Sequence, residues 1–194
     1  MKSISIAVFS FVHLALFGQT SSEQLKKLFL NLDIKETFHN VVKGSPLAFE
    51  YGVSRGVPLH DENGKILYNE KFSYFANFDE NPLIESKIKK GIISVGQQSQ
   101  EVQSGHFSVH ETVNFSSEEA MMKEYYKLTA LFEEFAYRVK TFMILKENDD
   151  IKLEDTEIFI KTEAGKVTLH ISYHFPEEWQ EKEEYQLVFV YSNY

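Results

Sequence analysis

The chain has 194 residues, a formal charge of −9 and 43% hydrophobic residues, including 17 Phe and 10 Tyr but no Cys. Because apolar residues are this plentiful, the composition excludes disordered, collagen-like and low-complexity classes, and the length allows a domain with its own core. The absence of cysteine excludes a disulfide scaffold, an iron–sulfur cluster and thiol catalysis. The acidic charge argues against nucleic acid as the main partner, since nucleic-acid binding needs a basic surface.

The first 20 residues have the composition of a secretory signal peptide. Lys2 supplies a short basic region, the residues from Ile4 to Phe17 form an apolar stretch, and small or polar residues follow. The stretch is shorter than the roughly 20 apolar residues of a membrane span. We expect cleavage after Gly18 or after Thr20. The alternative is that this segment is a buried N-terminal strand or helix.

Cleavage after Thr20 would leave 19 basic and 29 acidic residues and a formal charge of −10. The mature chain would then be an acidic, exported domain without cysteine. Because eukaryotic secreted domains of this size often depend on disulfides, we expect a bacterial envelope protein in the periplasm or the extracellular space. No transmembrane span is expected after the signal is removed.

Two short N-terminal helices are predicted between residues 21 and 44. Ser21 or Ser22 caps the first helix, and a capping-box pattern at Asp33 and Glu36 begins the second. Gly44, which is followed by a serine and a proline, ends the second helix. The sequence therefore predicts a short helical pair at the start of the mature chain.

Strand signals dominate the next part of the chain. Residues 47–78 are rich in aromatic and β-branched types, with a hairpin turn at Asp61–Gly64. Residues 81–91 have the cap, first-turn proline and basic last turn of a short helix. Further strands are expected at 92–95 and 106–115.

The clearest predicted element is a long helix over about residues 117–145. Ser116 and Glu119 form a capping box at its start. Apolar residues then recur at alternating spacings of four and three, which is the period of one helix face. They are Met121, Tyr125, Leu128, Phe132, Phe135, Val139 and Phe142. We interpret this stripe as a helix that packs across a sheet, with a coiled-coil seam as the alternative.

The remaining residues predict a meander of strands at 156–162, 166–175 and 185–191, with a hairpin turn at 163–165 and an acidic loop at 176–184. Together with the helices, these strands indicate an α+β fold. We expect a mostly antiparallel sheet that packs against the one long helix.

The absence of any composition break favours a single α+β domain over residues 21–194. The alternative is a protein of two lobes, one over residues 21–91 and the other over residues 92–194. Neither a Pro/Gly/Ser-rich linker nor a charge run marks a boundary between such lobes.

The most specific pattern is a repeated pentapeptide in which two histidines flank a serine. One copy, HFSVH, starts at His106 and ends at His110, and the other, HISYH, starts at His170 and ends at His174. Alternate residues of a strand share a face, so each copy would place its histidines and serine together. Histidine nitrogens bind zinc, but the two histidines of one strand lie about 13 Å apart, so only a cross-strand pair such as His110 with His170 could share an ion. Our main interpretation is a solvent-facing polar row; zinc ligation and the remnant of a duplication are the alternatives.

A second pattern lies at residues 52–56, which read GVSRG and fit G-x-S-x-G. In α/β hydrolases this serine lies at a sharp strand-to-helix turn that exposes its hydroxyl group. A strand is predicted before Ser54, but no helix follows, and the chain lacks the strand–helix alternation of that fold. We therefore interpret the segment as a glycine-flanked loop and assign no catalytic residue.

The aromatic residues suggest an apolar ligand site between the sheet and the long helix. The candidates are Tyr74, Phe78, Tyr125, Phe132, Tyr173 and Trp179. Simple core packing is the main alternative, and an exposed patch of tyrosine and tryptophan that binds glycan or protein is another.

From these observations we expect an exported, non-catalytic domain of the bacterial envelope that binds a small apolar ligand or another envelope protein, without a cofactor. The alternative is a small exported metal-binding protein or hydrolase that uses the four histidines, with zinc as the metal. A third possibility is an oligomeric structural protein that assembles through residues 121–142.

Overall fold

The computed structural model describes residues 20–56, 59–60, 66–67, 70–99, 102, 104–145, 151–162, 165–176 and 184–192. The described elements are two helices and ten strands. The helices are α1 (Ser21–Leu28) and α2 (Glu118–Glu133). The strands are β1 (Glu50–Arg55), β2 (Leu59–His60), β3 (Ile66–Leu67), β4 (Glu70–Phe78), β5 (Lys90–Gln98), β6 (Ser108–Phe115), β7 (Ala136–Leu145), β8 (Ile151–Thr162), β9 (Gly165–His174) and β10 (Tyr185–Ser192).

Eight of the strands form one antiparallel sheet with the order β1-β4-β5-β6-β10-β9-β8-β7, and β2 pairs separately with β3. The predicted α+β class with an antiparallel sheet is confirmed. Strands from both of the predicted lobes lie in this one sheet, whereas the division into domains stays a prediction. None of the described helices is long and apolar enough to cross a membrane.

The predicted long helix is wrong in its second half. Helix α2 starts at the cap Ser117, whose hydroxyl accepts a hydrogen bond from the Ala120 N–H (3.3 Å), and it ends at Glu133 after 16 residues. Residues 136–145 instead form strand β7, which pairs with β8. The segment is rich in β-branched and aromatic residues, which favour a strand. Val139 and Phe142 continue the helical spacing by coincidence, because an odd separation places them on opposite faces of a strand.

The predicted N-terminal helical pair is also only half correct. Helix α1 forms, with Thr20 rather than a serine as its cap and a capping box between Thr20 and Glu23. The second helix is replaced by turns over residues 34–44. Leu30 and Asn31 both have positive φ angles (52° and 64°), a left-handed conformation that ends α1 and reverses the chain. The short helix predicted at 81–91 is likewise absent, since only a turn at 82–83 precedes β5.

Both described helices and the turns that follow α1 pack on the same face of the sheet, which we call the covered face. The ring of Phe29, after α1, contacts that of Tyr191 on β10, and the ring of Tyr125 on α2 contacts that of Tyr173 on β9. Helix α2 buries the first half of its predicted stripe, namely Met121, Tyr125, Leu128 and Phe132. Each such side chain stabilises the fold by about 1.5–3 kcal/mol.

The opposite face, which we call the open face, carries the alternate residues of each strand. In β6, for example, Val109 and Val113 are buried whereas His110 between them is exposed. Phe75, Ile92 and Phe142 on this face expose 41%, 38% and 51% of their surface. The sheet is therefore buried on one side and presents a mixed apolar and polar surface on the other.

Candidate functional site

The two histidine pentapeptides lie on β6 and β9, and these strands are not neighbours because β10 lies between them. His110 pairs in register with Val190, and Val190 pairs with His170. Adjacent strands are about 4.8 Å apart, so His110 and His170 share the open face with roughly 10 Å between their backbones. His106 precedes β6, and its carbonyl oxygen accepts a hydrogen bond from Gln97 Nε2 (2.8 Å).

His170 has the most developed surroundings of the four histidines. Its Nδ1 lies 3.2 Å from Asp155 Oδ2 and its Nε2 lies 3.7 Å from Glu157 Oε1, so the ring lies between two carboxylates. The other carboxylate oxygen of Glu157 pairs with Lys140 Nζ at 2.9 Å. The hydrogen bond to Asp155, opposed by burial and helped by the charge of Glu157, raises the pKa of His170. These contacts therefore favour the protonated form of His170 and link β9 to β8.

The pKa values of two other histidines on the open face, His110 and His174, are shifted in the opposite direction. His110 Nε2 lies 3.2 Å from Ser108 Oγ, and partial burial together with the charge of Lys71 lowers the pKa of His110. Partial burial also lowers the pKa of His174, against the opposite effect of Asp155. The pKa values of His110 and His170 are thus shifted in opposite directions, because the side chains next to them come from different strands.

These contacts do not bring the predicted metal ligands together. Among the residues that the structure describes, no group of three or more His, Asp or Glu side chains could hold a metal ion. Both ring nitrogens of His170 already face carboxylates, and they point to opposite sides of the ring. The four histidines thus lie on or near one face of the sheet, but the described side chains do not converge on a position where a zinc ion could bind.

The elements of a serine hydrolase are also separated. Ser54 lies inside strand β1, opposite Lys71 in register, and not at a strand-to-helix turn. The glycine-flanked loop that we predicted there is wrong, since residues 52–55 are part of the strand. The side-chain contact between Ser108 and His110 lies on β6, whereas the contact between His170 and Asp155 joins β9 to β8.

Three of the predicted ligand-binding aromatics, Tyr125, Phe132 and Tyr173, are buried between α2 and the sheet. The ring centroids of Tyr125 and Tyr173 are 4.8 Å apart in an edge-to-face contact. The Tyr125 hydroxyl donates to Glu154 Oε1 (2.7 Å) and lies 2.8 Å from Thr156 Oγ1. Burial is the main reason why the pKa of Tyr125 is raised, so this phenol stays protonated.

The other three predicted aromatics lie elsewhere. Phe78 is buried near Gly91, and Tyr74 packs against Phe38 while its hydroxyl lies 3.2 Å from His39 Nδ1. Trp179 lies outside the described residues. The structure therefore brings Tyr125 and Tyr173 together, but not with Tyr74.

The recesses on the described surface include one beside α1 and one before β5. One has a volume of about 280 Å³ and is lined by residues of α1 and the turn after it, from Thr20 to Lys35. The other has a volume of about 540 Å³ and is lined by residues from Asp79 to Ile88. Neither recess is lined by a predicted ligand-binding aromatic.

Sequence reasoning missed a group of cations and aromatic rings at the β7 edge of the open face. A register shift between Ala136 and Arg138 places Tyr137 and Arg138 together opposite Phe159 of β8. Arg138 Cζ and Lys140 Nζ lie 5.4 Å and 4.9 Å from the centroid of the Phe159 ring. We call this group the β7 cluster; it consists of Tyr137, Arg138, Lys140, Phe142, Phe159 and Lys166. The alternation of Arg138, Lys140 and Phe142 indicates one face of a strand, but the sequence analysis assigned these residues to a helix.

The fold and this surface define an α+β protein in which both described helices cover the same face of an antiparallel sheet. In comparisons with protein-family models, curated proteins and solved structures, the chain has no match. Inferences about its function therefore depend on its own residues.

Proposed function

We propose that the chain is an exported, non-catalytic binding domain of the bacterial envelope, and that it takes its ligand or protein partner on the open face of the sheet. The observation that carries the proposal is the asymmetry of the sheet. Helices α1 and α2 pack on the covered face, while Phe75, Ile92 and Phe142 are exposed on the other. A sheet face that no described helix covers is accessible to a partner, and the exposed apolar side chains on it provide area that a partner can bury.

The polar groups of the open face support recognition by a fixed surface. Asp155 and Glu157 hold the ring of His170, and Lys140 pairs with Glu157. Because these side chains are already restrained by each other, a partner would order few of them on binding, and the entropic cost of binding would be small.

Export can be tested with the 194-residue chain tagged at its C-terminus and expressed in a bacterium. We expect the protein in the periplasmic or secreted fraction, with an N-terminus at Gln19 or Ser21. Thr20 caps α1, and loss of such a cap costs about 1 kcal/mol, so the structure favours Gln19. An unprocessed chain confined to the cytoplasm would contradict the proposal.

Binding can be tested by replacing Phe75 or Phe142 with a photo-cross-linking phenylalanine in the cells that make the protein. Tyr126, which is 60% exposed on α2, provides the matched control on the opposite side of the molecule. We expect discrete adducts from the two open-face positions and none from position 126. Adducts from position 126 alone would assign binding to the helical side. For a small apolar ligand, native mass spectrometry of the purified protein replaces the cross-linking readout.

The alternative function, a metal-binding protein or hydrolase that uses the histidines, is supported by one observation, the orientation of His170 by Asp155. A carboxylate that holds one ring nitrogen is the arrangement that directs the other nitrogen to a metal or a proton. The test is metal analysis of protein purified without a histidine tag. Stoichiometric zinc that is lost in both His110→Ala and His170→Ala would favour this alternative over the binding domain.

A further inference from the structure

Strand β7 forms one edge of the eight-stranded sheet. It is ten residues long and pairs with β8 on one side only. No other strand of the described residues pairs with its outer side. An edge strand of this length presents a row of main-chain N–H and C=O groups that can pair with an added strand.

The side chains next to this row are mainly basic. Arg138 and Lys140 lie two residues apart on the open face, and Lys166 of β9 lies with them in the β7 cluster. Glu157, which lies opposite Lys140 on β8, is already paired with Lys140 and faces His170. This local excess of positive charge occurs in a chain with a formal charge of −9, so it attracts partners that the rest of the surface repels.

Each of the three aromatic rings of the cluster has at least one cation near it. Lys140 and Arg138 lie over the ring of Phe159, and Lys166 Nζ lies 5.6 Å from the centroid of the Tyr137 ring. Stacking of a sugar or a nucleobase would compete with these cations for the rings. A partner meets cationic N–H groups and partly exposed rings beside a strand edge, and the main-chain groups of that edge favour a peptide over a glycan or a nucleic acid.

The same charges disfavour a second copy of the chain. Antiparallel pairing of two β7 strands about Val139 would place Arg138 of one copy opposite Lys140 of the other. Like charges directly opposite each other destabilise a strand pair. The cations therefore act against self-pairing and in favour of an acidic strand.

We propose that β7 binds an extended acidic peptide segment of a protein partner as a ninth strand of the sheet, with alternate carboxylates beside Arg138 and Lys140. The inference rests on the proposed binding function and names the partner class for one edge of the same face. Main-chain hydrogen bonds supply the affinity, and the carboxylates select the sequence and the direction of the peptide.

The test uses the mature protein and a fluorescein-labelled, end-blocked peptide of eight residues in which glutamate alternates with valine. We expect saturable binding by fluorescence anisotropy that weakens as salt is added, and slower amide hydrogen exchange over residues 136–145 in the complex. Two control peptides separate the contributions. One replaces the two central valines with proline, which keeps the charges but prevents strand pairing, and the other replaces glutamate with lysine. Both are expected to lose binding.

The protein variants are Arg138→Glu, Arg138→Gln and Lys71→Glu. Lys71 lies on the same face but on β4, six strands away from β7 in the sheet. Lys71→Glu therefore makes the same change of charge as Arg138→Glu at a position that does not contact β7. We expect Arg138→Glu to weaken binding at low salt about fivefold, Arg138→Gln less than that, and Lys71→Glu to leave it unchanged. Unchanged melting temperatures confirm that the variants are folded.

Three results would overturn the inference: equal binding of the proline peptide, equal weakening by Lys71→Glu, or tighter binding of an oligogalacturonate than of the acidic peptide, which would assign the cluster to an anionic glycan. Absence of peptide binding together with adducts from Phe75 and Phe142 would remove this inference alone. Absence of both would remove the proposed function as well.

Discussion

The two faces of the one sheet differ in how they accommodate ionisable groups. On the covered face, Glu111 of β6 is fully buried, and its Oε1 accepts a single hydrogen bond, from Asn81 Nδ2 at 2.7 Å. On the open face, Asp155, Glu157 and His170 are partly exposed and pair with each other. Burial without a described cationic partner raises the pKa of Glu111 and favours its neutral form, whereas the partly exposed carboxylates pair with a histidine.

Glu124 of α2 is a third case, because it is buried and still charged. Its Oε1 accepts hydrogen bonds from the Ser86 N–H (2.8 Å) and hydroxyl (2.7 Å), and its Oε2 lies 2.6 Å from Lys127 Nζ. Burial raises the pKa of Glu124, but the hydrogen bonds from Lys127 and Ser86 outweigh it and leave that pKa lowered. Partners rather than depth alone therefore determine the charge state, and Glu111 lacks a cationic partner among the described residues.

The largest expected contrast between the faces is the loss of an aromatic side chain. Phe132→Ala empties a fully buried site under α2, and we expect it to lower the free energy of unfolding by about 3–5 kcal/mol. Phe142→Ala on the open face should lower it by less than about 1 kcal/mol. Denaturant unfolding measures both. A comparable loss from Phe142→Ala would show that the open face is covered in the native protein.

The next contrast adds one methyl group to each face. A Cβ atom at Gly91 would lie 2.3 Å from the ring of Phe78, whereas one at Gly52 would meet Phe75 at 3.6 Å, an ordinary contact. We expect Gly91→Ala to destabilise the protein by about 1–3 kcal/mol and Gly52→Ala to change stability by less than about 0.5 kcal/mol. Thermal unfolding of the two variants measures the difference. Equal effects would contradict the close packing assigned to the covered face.

A smaller contrast concerns the pH dependence of Glu111. Burial raises the pKa of Glu111 well above its ordinary value, against the opposite effect of its hydrogen bond from Asn81. A raised pKa in the folded state means that the stabilising effect of protonation is complete below the unfolded value, about 4.3, and is lost as the pH rises through the folded pKa. We therefore expect Glu111→Gln to gain stability relative to the natural chain between pH 4 and neutrality, on the order of 1 kcal/mol. Urea unfolding at a series of pH values measures it, and a difference independent of pH would contradict the assignment.

The smallest contrast is the corresponding dependence of His170 on the open face. The hydrogen bond to Asp155 raises the pKa of His170, so its contribution to stability is complete below the unfolded value, about 6.5, and is lost as the pH rises through the folded pKa. Because the pair is partly exposed to solvent, we expect less than about 1 kcal/mol. Asp155→Asn should remove this dependence, with Lys71→Glu as a control for a distant charge. A pH titration of the His170 ring by NMR locates the pKa directly, and a value at or below 6.5 would contradict the contact.

Much of the fold could be predicted because local patterns and tertiary packing agree. The spacing of Tyr125, Leu128 and Phe132 predicted the buried face of α2. The alternation of polar and apolar residues in β6 and β9 predicted two strands, each with one polar and one apolar face. The same reasoning failed for residues 136–145, where Val139 and Phe142 continued a helical spacing although pairing with β8 makes the segment a strand.

The candidate sites were harder to predict, because they depend on which strands are neighbours. The two histidine pentapeptides share a face, but β10 separates their strands, and no local signal specifies that order. The β7 cluster could not be found from the sequence for the same reason, since Phe159 and Lys166 approach Arg138 only through pairing of β7, β8 and β9.

The amino-acid sequence by itself determined the α+β class, the apolar face of α2 and the alternation of buried and exposed residues along most strands, because these depend on neighbours within a few positions. Only the tertiary structure decided that both described helices lie on one face of the sheet, that Glu111 is buried and that β7 is at the edge of the described strands. Those properties depend on contacts between residues distant in the chain, and backbone pairing that specifies them is not encoded in any single segment.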